Sequence, residues 1–359
     1  MAALKDLESG TLADRVAEEL AGFLDEHADL LLSLSPDLRP LAEVARAAVL
    51  GGGKRLRPTF AYWGWRSVLP ADDPGTAALL RAAASLELLQ ACALVHDDLL
   101  DASDTRRGQP AAHVRFGAHH TDQGWPGEPG SFGSAGALLL GDLLLSWAEE
   151  MFAGAGLPDR YAAGARREFD LMRTEVVAGQ FLDVLAQRRG DYSADEAVAV
   201  IRLKTSKYTV ARPLLLGAAA AGGDHRLRAE LAAYGHAVGE AFQLRDDLLG
   251  VFGDPAETGK PAGDDLREGK RTLLVALAMA AATPDQRAVL RDGLGDRQLT
   301  EAGVTELRGL LTGTGARDAV ERRIAERATE AAASLTDRLR PEARTALLEL
   351  AEAAAHRRF

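Results

Sequence analysis

The sequence predicts an all-α protein, built as one large domain over residues 1–359. It is rich in Ala, Leu, Glu and Arg, which favour helices, and runs in which apolar β-branched residues alternate with polar ones are hard to find. Two apolar runs, 213–223 and 273–282, are too short to span a bilayer and are typical of helices buried on all sides. We therefore expect a bundle of helices without a transmembrane segment.

Charge and cysteine content limit the partners and the compartment. The formal net charge is −11 and the sequence pI is about 5.3, which argues against nucleic acid as a general partner. The single cysteine, Cys92, excludes an intramolecular disulfide and fits a reducing compartment. The N-terminal segment lacks the basic and apolar regions of a signal peptide. We therefore expect a cytoplasmic protein.

The first elements are two helices and a glycine-rich segment. An amphipathic helix is predicted over 11–34, and a shorter one over 41–50 follows two prolines. The next segment reads GGGKRLRP, in which Lys54 and Arg57 stand three residues apart and Pro58 suits the first turn of another helix. Flexible backbone with cations at a helix start can bind an anion, although taken alone the segment reads more simply as an ordinary loop.

A long apolar segment, 82–95, leads into a group of carboxylates. If it is helical, Asp97 and Asp101 lie four residues apart on one face, where they repel each other. Asp98 adds a third charge at the end of a helix that is already negative. Magnesium would turn this arrangement into a binding site, because Mg²⁺ prefers a few carboxylates together with phosphate oxygens. The alternative is a solvated, acidic helix end.

The middle of the chain alternates between helices and loops. Residues 117–136 are rich in Gly and Pro and predict a surface loop. Apolar helices are predicted at 137–152, 159–187 and 195–216. The last of them contains Lys204 and Thr205, and by itself this lysine reads as a solvated helix residue.

A second group of carboxylates ends another buried helix, predicted over 229–251. It contains Asp246 and Asp247 in the same sequence, DDLL, as the first group, 246 − 97 = 149 residues earlier. Two helices that end alike can place their carboxylates across one cavity, although such a repeat can also arise by chance. The glycine-rich segment 254–272 is a candidate lid, and 284–359 predicts further amphipathic helices.

The distribution of lysine distinguishes the same segments. The chain has 42 lysines and arginines, of which six are lysines. Four of these six stand in the segments that resemble anion sites: Lys54, Lys204, Lys260 and Lys270. An ammonium makes a compact point contact with phosphate that a planar guanidinium does not reproduce. The pattern supports sites for phosphate groups.

Five motifs in a fixed order resemble the trans-isoprenyl diphosphate synthases, also called polyprenyl synthetases. They are GGGKRLRP, DDLLDASDTRRG, KTS, FQLRDD and GKPAGDDLREGK, and together they extend over residues 51–272. The resemblance implies the isoprenoid synthase type of fold, in which long helices surround a deep central cavity. It also implies Mg²⁺-dependent, head-to-tail condensation of isopentenyl diphosphate with an allylic diphosphate, and a homodimer.

The resemblance also assigns roles to residues of these motifs. Metal ions would be held by Asp97, Asp98, Asp101, Asp246 and Asp247. The allylic diphosphate would be held by Arg106, Lys204, Thr205, Gln243, Lys260 and Lys270. Isopentenyl diphosphate would be held by Lys54, Arg57, Gln90 and Arg107. Catalysis would depend most on Asp97, Asp101, Lys204 and Asp246. The released diphosphate would accept the proton, so His96 either orients a carboxylate or is structural.

The growing product should extend along the helix that precedes Asp97. The positions four, five and eight residues earlier are Ala93, Cys92 and Leu89. In the family, bulky aromatic side chains at the first two positions stop elongation early, and here both side chains are small. We therefore expect a C20 product, geranylgeranyl diphosphate, with farnesyl diphosphate or a longer chain as the alternative.

The second aspartate motif departs from the family's pattern. It reads DDLLG, so Gly250 stands where a third aspartate is usual. This departure leaves the coordination of a third metal ion open.

Two other functions use related motifs. A terpene cyclase also has an aspartate-rich motif, but its second metal motif normally begins with Asn, and this sequence has none. A second diphosphate site at Lys54 and Arg57 would also be superfluous in a cyclase. A non-catalytic subunit of a heteromeric synthase would lose carboxylates from the motifs, whereas both Asp pairs remain here.

Overall fold

The computed structural model describes residues 11–189, 192–253 and 263–356. The helices of this part are α1 (Thr11–Leu34), α2 (Arg39–Leu50), α3 (Leu56–Arg66), α4 (Thr76–Leu100), α5 (Ala112–Asp122), α6 (Pro129–Ala153), α7 (Asp159–Arg188), α8 (Ala194–Ile201), α9 (Arg212–Ala220), α10 (His225–Phe252), α11 (Asp264–Glu268), α12 (Leu273–Ala281), α13 (Pro284–Gly293), α14 (Glu301–Gly313), α15 (Ala316–Ser334) and α16 (Pro341–His356). Residues Pro36–Leu38 form a 3-10 turn, and a π-helical segment, Arg202–Ala211, joins α8 to α9. In the described part, the strands are the antiparallel pair β1 (Thr105–Arg106) and β2 (Gln109–Pro110). The prediction of an all-α protein is confirmed.

Helix α4 is the central element of the first half. It packs on α1, α3 and α6, and most of its residues are buried, as its apolar composition on all sides predicts. The main hydrophobic core forms around it, with Leu86 and Leu88 fully buried. The helix ends at Leu100, so Asp97 lies in its last turn and Asp101 is its C-cap residue.

Helix α10 is the central element of the second half. It packs on α9, on the π segment, and on α15 and α16. The hydroxyl of its buried Tyr234 donates to the carbonyl oxygen of Leu347 in α16 at 2.6 Å. The two halves are joined because α9 contacts α3, α4 and α10, while the π segment contacts α7 and α10.

The surface loop predicted at 117–136 is wrong. Helix α5 continues to Asp122 and α6 already begins at Pro129, so only residues 123–128 connect them. The glycines serve close packing of the two helices instead of a loop. A Cβ at Gly133 would overlap the carbonyl oxygen of His113, and one at Gly136 would press against the ring of Phe116.

The helix predicted at 195–216 is present, but Arg202–Ala211 is π-helical. In this segment, too, two helices pack closely at glycines. Gly235 and Gly239 of α10 lie against Ala211 and Ser206 of the π segment. Six of the ten residues in this segment are buried. Most of the segment is therefore buried, and π-helical turns are frequent at functional sites.

In the part of the chain that the structure describes, two helices are long and apolar enough to cross a membrane, judged by length and composition alone. They are α4 and α6. The most apolar stretch of α4 is 72% buried, which is typical of a core helix, whereas that of α6 is 39% buried. Helix α6 and its neighbour on the surface, α7, thus leave apolar side chains exposed.

Candidate active site

The end of α4 holds carboxylates that Arg106 partly compensates. Asp98 is 2% exposed and accepts a hydrogen bond from Nε of Arg106 at 2.8 Å. Arg106 belongs to β1, so the short hairpin places its guanidinium beside the helix end, where it also lies 3.7 Å from Asp97. The guanidinium predicted to hold the allylic diphosphate thus contacts the first aspartate motif directly.

Asp97 receives further partners from two other elements. Nε2 of Gln180 donates to it at 2.8 Å, and Nζ of Lys204 donates to it at 3.3 Å. Lys204 also donates to Asp183, at 2.8 Å. Although burial lowers the pKa of Lys204, the charges of Asp97 and Asp183 outweigh this effect and raise it, so the ammonium stays protonated. The solvated position considered for this lysine is therefore wrong.

Sequence reasoning missed Gln180 and Asp183, which lie three residues apart on α7. What identifies them is that the usual arrangement of a helix is reversed here, with apolar side chains exposed and polar ones facing the interior. Val177 and Phe181 of the same helix are 67% and 68% exposed, while these two polar side chains point inward to Asp97 and Lys204. In a soluble helix the apolar face is normally the buried one.

The second aspartate motif is connected to the π segment by side-chain hydrogen bonds. Oγ1 of Thr205 donates to Gln243 at 2.6 Å, and Nε2 of Gln243 donates to Asp247 at 2.8 Å. Burial raises the pKa of Asp247 to about 7, and the charges of Asp265 and Asp246 act in the same direction. Asp246 is half-buried on the same helix. Negative charge is thus concentrated at this end of α10.

Lys270 and Tyr192 link the two acidic groups electrostatically. Burial and the charge of Asp97 raise the pKa of Asp101 to about 6, and the charge of Lys270 opposes this rise, as it also does at Asp247. Burial raises the pKa of Tyr192, and the charges of Asp183 and Asp247 raise it further. Lys204 donates to Asp97 and Asp183, and the adjacent Thr205 is linked through Gln243 to Asp247, so the acidic residues of α4, α7 and α10 border one site. Two aspartate motifs and two lysines thus come together; the third predicted lysine, Lys260, lies outside the described residues.

The residues predicted to bind isopentenyl diphosphate lie near α3. Arg57 donates to the hydroxyl of Thr209 at 2.9 Å, and its guanidinium lies 4.2 Å from the ring centroid of Tyr208. Lys54 is exposed just before α3. Oε1 of Gln90 on α4 is buried without a hydrogen-bond partner among the described residues. An amide oxygen accepts hydrogen bonds, as a diphosphate also does, so it is the NH₂ group of Gln90 that would donate to the diphosphate.

Arg107 completes a basic group with the glycine-rich segment. It donates to the carbonyl oxygen of Gly52 and thereby bridges the hairpin and the loop before α3. Burial lowers its pKa; the charge of Glu87 opposes the shift, while the charges of Arg55 and Arg57 are among those that add to it. Positive charge is therefore in excess here, and an anion would compensate it.

Arg55 is a further residue that sequence reasoning did not identify. It has a positive φ of 47° and donates to Glu87 of α4 at 2.7 Å and to the carbonyl oxygen of Val49 at 3.0 Å. The side chains of Arg55 and Glu87 are 8% and 4% exposed. This buried ion pair fixes the segment with Lys54 and Arg57 on the helix that carries the first aspartate motif.

The three positions considered for product length lie on α4 as expected. Leu89 and Cys92 are buried, and Ala93 is half-buried. Burial raises the pKa of the Cys92 thiol to about 12, and the charge of Asp142 on α6 contributes. Neither Ala93 nor Cys92, the two positions closest to Asp97, carries an aromatic ring.

His96 has a structural role in this arrangement. Its Nε2 donates to the carbonyl oxygen of Leu138 on α6 at 3.2 Å. Its ring also fills the notch at Gly141, where a Cβ would overlap it. The imidazole therefore joins α4 to α6 and is not among the hydrogen-bond partners of Asp97.

A divalent cation fits the chemistry of these groups. Within 11–189, 192–253 and 263–356, no three acidic, histidine or cysteine side chains are gathered closely enough to form a complete set of ligands. The available donors are carboxylate oxygens, which Mg²⁺ prefers. Burial is the main cause that raises the pKa of Asp101 and of Asp247; neighbouring aspartates add to the rise and lysines oppose it.

Comparison with known proteins identifies the family. Residues 39–311 match the sequence model described as polyprenyl synthetase. A solved structure of geranylgeranyl pyrophosphate synthase from Corynebacterium glutamicum, complexed with isoprenyl diphosphate and magnesium, is 42% identical with a TM-score of 0.92, over 97% of this chain and 99% of that chain.

Curated relatives carry names with different product lengths. Geranylfarnesyl diphosphate synthase of Aeropyrum pernix is 32% identical over 84% of this chain and 87% of its own length. The (2E,6E)-farnesyl diphosphate synthase of Mycobacterium bovis is 33% identical, over 69% of this chain and 65% of its own length. The chain therefore belongs to the polyprenyl synthetase family and is a prenyltransferase of isoprenoid biosynthesis.

Proposed function

We propose that this enzyme condenses isopentenyl diphosphate head to tail with an allylic diphosphate and that its main product is geranylgeranyl diphosphate. The observation that supports the reaction best is the position of Lys204, which contacts Asp97 and Asp183 beside the second motif. The aspartates with Lys204 would bind one diphosphate together with a metal ion. The separate basic group around Arg57 and Arg107 would bind a second diphosphate.

Mg²⁺ is the proposed cofactor, held by Asp97, Asp101 and Asp246, with Asp98 and Asp247 beside them. When bound there, Mg²⁺ would supply positive charge that offsets the charge of the allylic diphosphate. The protein would hold the leaving diphosphate through Lys204, Thr205, Gln243, Lys260 and Lys270, with Arg106 close to the first motif. The lysines and the arginine would stabilise the negative charge that develops on the diphosphate in the transition state, and the two polar side chains would donate hydrogen bonds to it.

The second diphosphate would be held by Lys54, Arg57, Gln90 and Arg107. In that position the alkene of isopentenyl diphosphate attacks the allylic carbon, a C–C bond forms, and the proton lost from the adduct passes to the released diphosphate. The apolar walls of α4 and its neighbours exclude water, which would otherwise capture the allylic cation. A terpene cyclase has no use for this second basic group.

The condensation assay tests the proposal directly. We expect the purified chain, supplied with Mg²⁺, isopentenyl diphosphate and farnesyl diphosphate, to form a C20 product that chromatography resolves. Excess EDTA should abolish product formation, because the carboxylates then hold no metal and the leaving diphosphate keeps its full charge. Product that persists in EDTA would contradict the mechanism, and none at all with Mg²⁺ would favour a non-catalytic subunit.

The product length is proposed to depend on Ala93, Cys92 and Leu89. At about 1.5 Å per residue, these positions lie roughly 6, 7.5 and 12 Å from Asp97 along α4. We expect Ala93→Phe to shift the main product from C20 to C15 or shorter, because the aromatic ring would block the path of the growing chain. Chromatography of the product mixture measures the shift.

The control for this substitution is Ala118→Phe, at an exposed position on α5. It adds the same side chain outside the site and should leave the product distribution unchanged. A C20 product from Ala93→Phe in a folded protein would show that the chain takes another path.

We further propose that the whole chain acts as one polyprenyl synthetase domain in a cytoplasmic homodimer, without a transmembrane segment or a nucleic-acid partner. The exposed apolar side chains of α6 and α7 support a second copy as the partner: Leu138, Leu139, Val177, Phe181 and Leu182. Burying such a face is favourable at roughly 25 cal/mol per Å² of apolar surface. A mass in light scattering equal to one chain, 38.1 kDa, would exclude the dimer.

A further inference from the structure

The ends of the two helices that carry the aspartate motifs are both held by arginines. Nη2 of Arg297 donates to the backbone carbonyl oxygen of Asp101, the C-cap residue of α4, at 2.9 Å. Nε of Arg308 donates to the carbonyl oxygen of Val251, in the last turn of α10, at 2.6 Å. The carbonyl groups of a last helical turn have no partner within the helix, so each guanidinium satisfies one of them.

The electrostatics of both helix ends favour this arrangement. The C-terminal end of a helix carries the negative part of its dipole, and Asp97 and Asp246 add charge in or near the last turns. A guanidinium is always protonated in proteins, and a cation at this end of a helix is stabilising. Because these bonds are made to backbone oxygens, they fix the helix ends without using a carboxylate oxygen.

Both arginines belong to one short segment of the chain. They stand 308 − 297 = 11 residues apart, Arg297 in the loop between α13 and α14 and Arg308 on α14. The loop is fixed before Arg297, since the N–H of Gly295 donates to the carbonyl oxygen of Leu266 at 2.9 Å. One segment therefore contacts the ends of both motif helices.

The two motif helices end in different hydrophobic clusters. Val95 of α4 belongs to the main core, whereas Val251 of α10 belongs to another cluster. The buried face of α14 packs into the cluster around α10 through Val304, Leu307 and Leu311. The segment is thus anchored beside α10, and Arg297 reaches from it to the helix of the main core.

We propose that Arg297 and Arg308 form a bracket that sets the distance between the two aspartate motifs. The inference rests on the proposed function, in which both motifs hold metal ions for one diphosphate. Mg²⁺ requires near-octahedral geometry with ligands at about 2.0–2.1 Å, so a change in the spacing of the motifs weakens metal binding more than it weakens the fold. Both arginines are positioning residues, because they act through the backbone of the motif helices.

The test removes the two arginines singly and together. We expect Arg297→Ala and Arg308→Ala each to weaken Mg²⁺-dependent binding of inorganic pyrophosphate about tenfold, because a hydrogen bond from a charged donor is lost. Calorimetry measures this binding without turnover. The double variant should bind at most about threefold more weakly than either single variant, since the first loss already releases the spacing. Two independent helix caps would instead multiply to about a hundredfold.

Kinetics and unfolding separate positioning from a general loss of structure. The single variants should raise KM for the allylic diphosphate and leave KM for isopentenyl diphosphate unchanged. The urea midpoint of metal-free Arg297→Ala should equal that of the parent, because the side chain is exposed. The matched controls are Arg291→Ala and Arg322→Ala, at exposed positions on α13 and α15, and should bind pyrophosphate like the parent.

Three results would overturn the inference. They are single variants that bind pyrophosphate like the controls, a double variant whose loss is the product of the single losses, and a rise in both KM values with a lower urea midpoint. If Arg308→Ala does not fold, Arg297→Ala against Arg291→Ala still decides. A parent that binds pyrophosphate but forms no prenyl product would instead contradict the proposed function, so the two failures are distinguishable.

Discussion

Replacing Asp97 with alanine should lower the turnover number about a thousandfold and leave the fold intact. Asp97 is the carboxylate on which Gln180, Lys204 and Arg106 converge, so its loss removes a proposed metal ligand and leaves Lys204 bonded to Asp183 alone. A metal ligand that stabilises the developing charge contributes several kcal/mol, and about 4 kcal/mol corresponds to that factor. The rate of product formation at saturating substrate measures the effect.

Stability should change little in this variant. The contacts of Gln180 and Lys204 with Asp97 are lost, but Lys204 keeps Asp183, and the removed charge repels Asp101 at the negative end of α4. Circular dichroism and thermal unfolding check this. The matched control is Asp104→Ala, whose carboxylate is 88% exposed in the loop that follows, and we expect it to retain the parent's turnover. An Asp97→Ala enzyme as fast as the parent would place the metal elsewhere.

The second large effect concerns the buried ion pair between Arg55 and Glu87. Glu87→Ala should lower the free energy of unfolding by about 3–5 kcal/mol, since it leaves the guanidinium of Arg55 buried without its counter-charge. The double variant Arg55→Met/Glu87→Leu should recover most of this loss, because apolar side chains of similar volume need no partner. The urea midpoint, compared at constant m value, measures both changes.

The ion pair of Asp25 and Arg46 provides the control. Its side chains are 65% and 48% exposed, so Asp25→Ala should cost at most about 1 kcal/mol. If Glu87→Ala were no more costly than Asp25→Ala, the buried pair would not fix the glycine-rich segment. The recovered double variant should still bind isopentenyl diphosphate less well, because Arg55 no longer orients Lys54 and Arg57.

Helices were predictable wherever apolar periodicity was uninterrupted. The predicted span 11–34 is identical to α1, and the buried helix before Asp97 is present with the expected end. The surface loop predicted at 117–136 was wrong because glycine is frequent both in turns and where two helices pack closely. Gly133 and Gly136 are of the second kind, and composition alone does not distinguish the two.

The site was predictable where motifs carry it and not where packing creates it. The sequence already indicated the carboxylates of both motifs, since charge at a helix end is costly without a partner, whereas Lys204 by itself read as a solvated residue and entered the site only through the resemblance. Gln180 and Asp183 were missed because the sequence predicts α7 only as an apolar helix, and its packing alone shows which side chains face Asp97 and Lys204. The π-helical form of Arg202–Ala211 depends on contacts with Gly235 and Gly239 of another helix. Such long-range contacts leave no local trace in composition.

The protonation state of the Cys92 thiol affects how easily this sulfur is alkylated or oxidised. A pKa of about 12 keeps it protonated at neutral pH, and a protonated thiol is a poor nucleophile. In the proposed reaction, an allylic cation forms a few residues along α4 from this sulfur, and a thiolate in its place would be alkylated by the first cation that reached it. Burial and the negative charge of Asp142 thus keep this sulfur in its less nucleophilic form, and the same protonated state slows its oxidation.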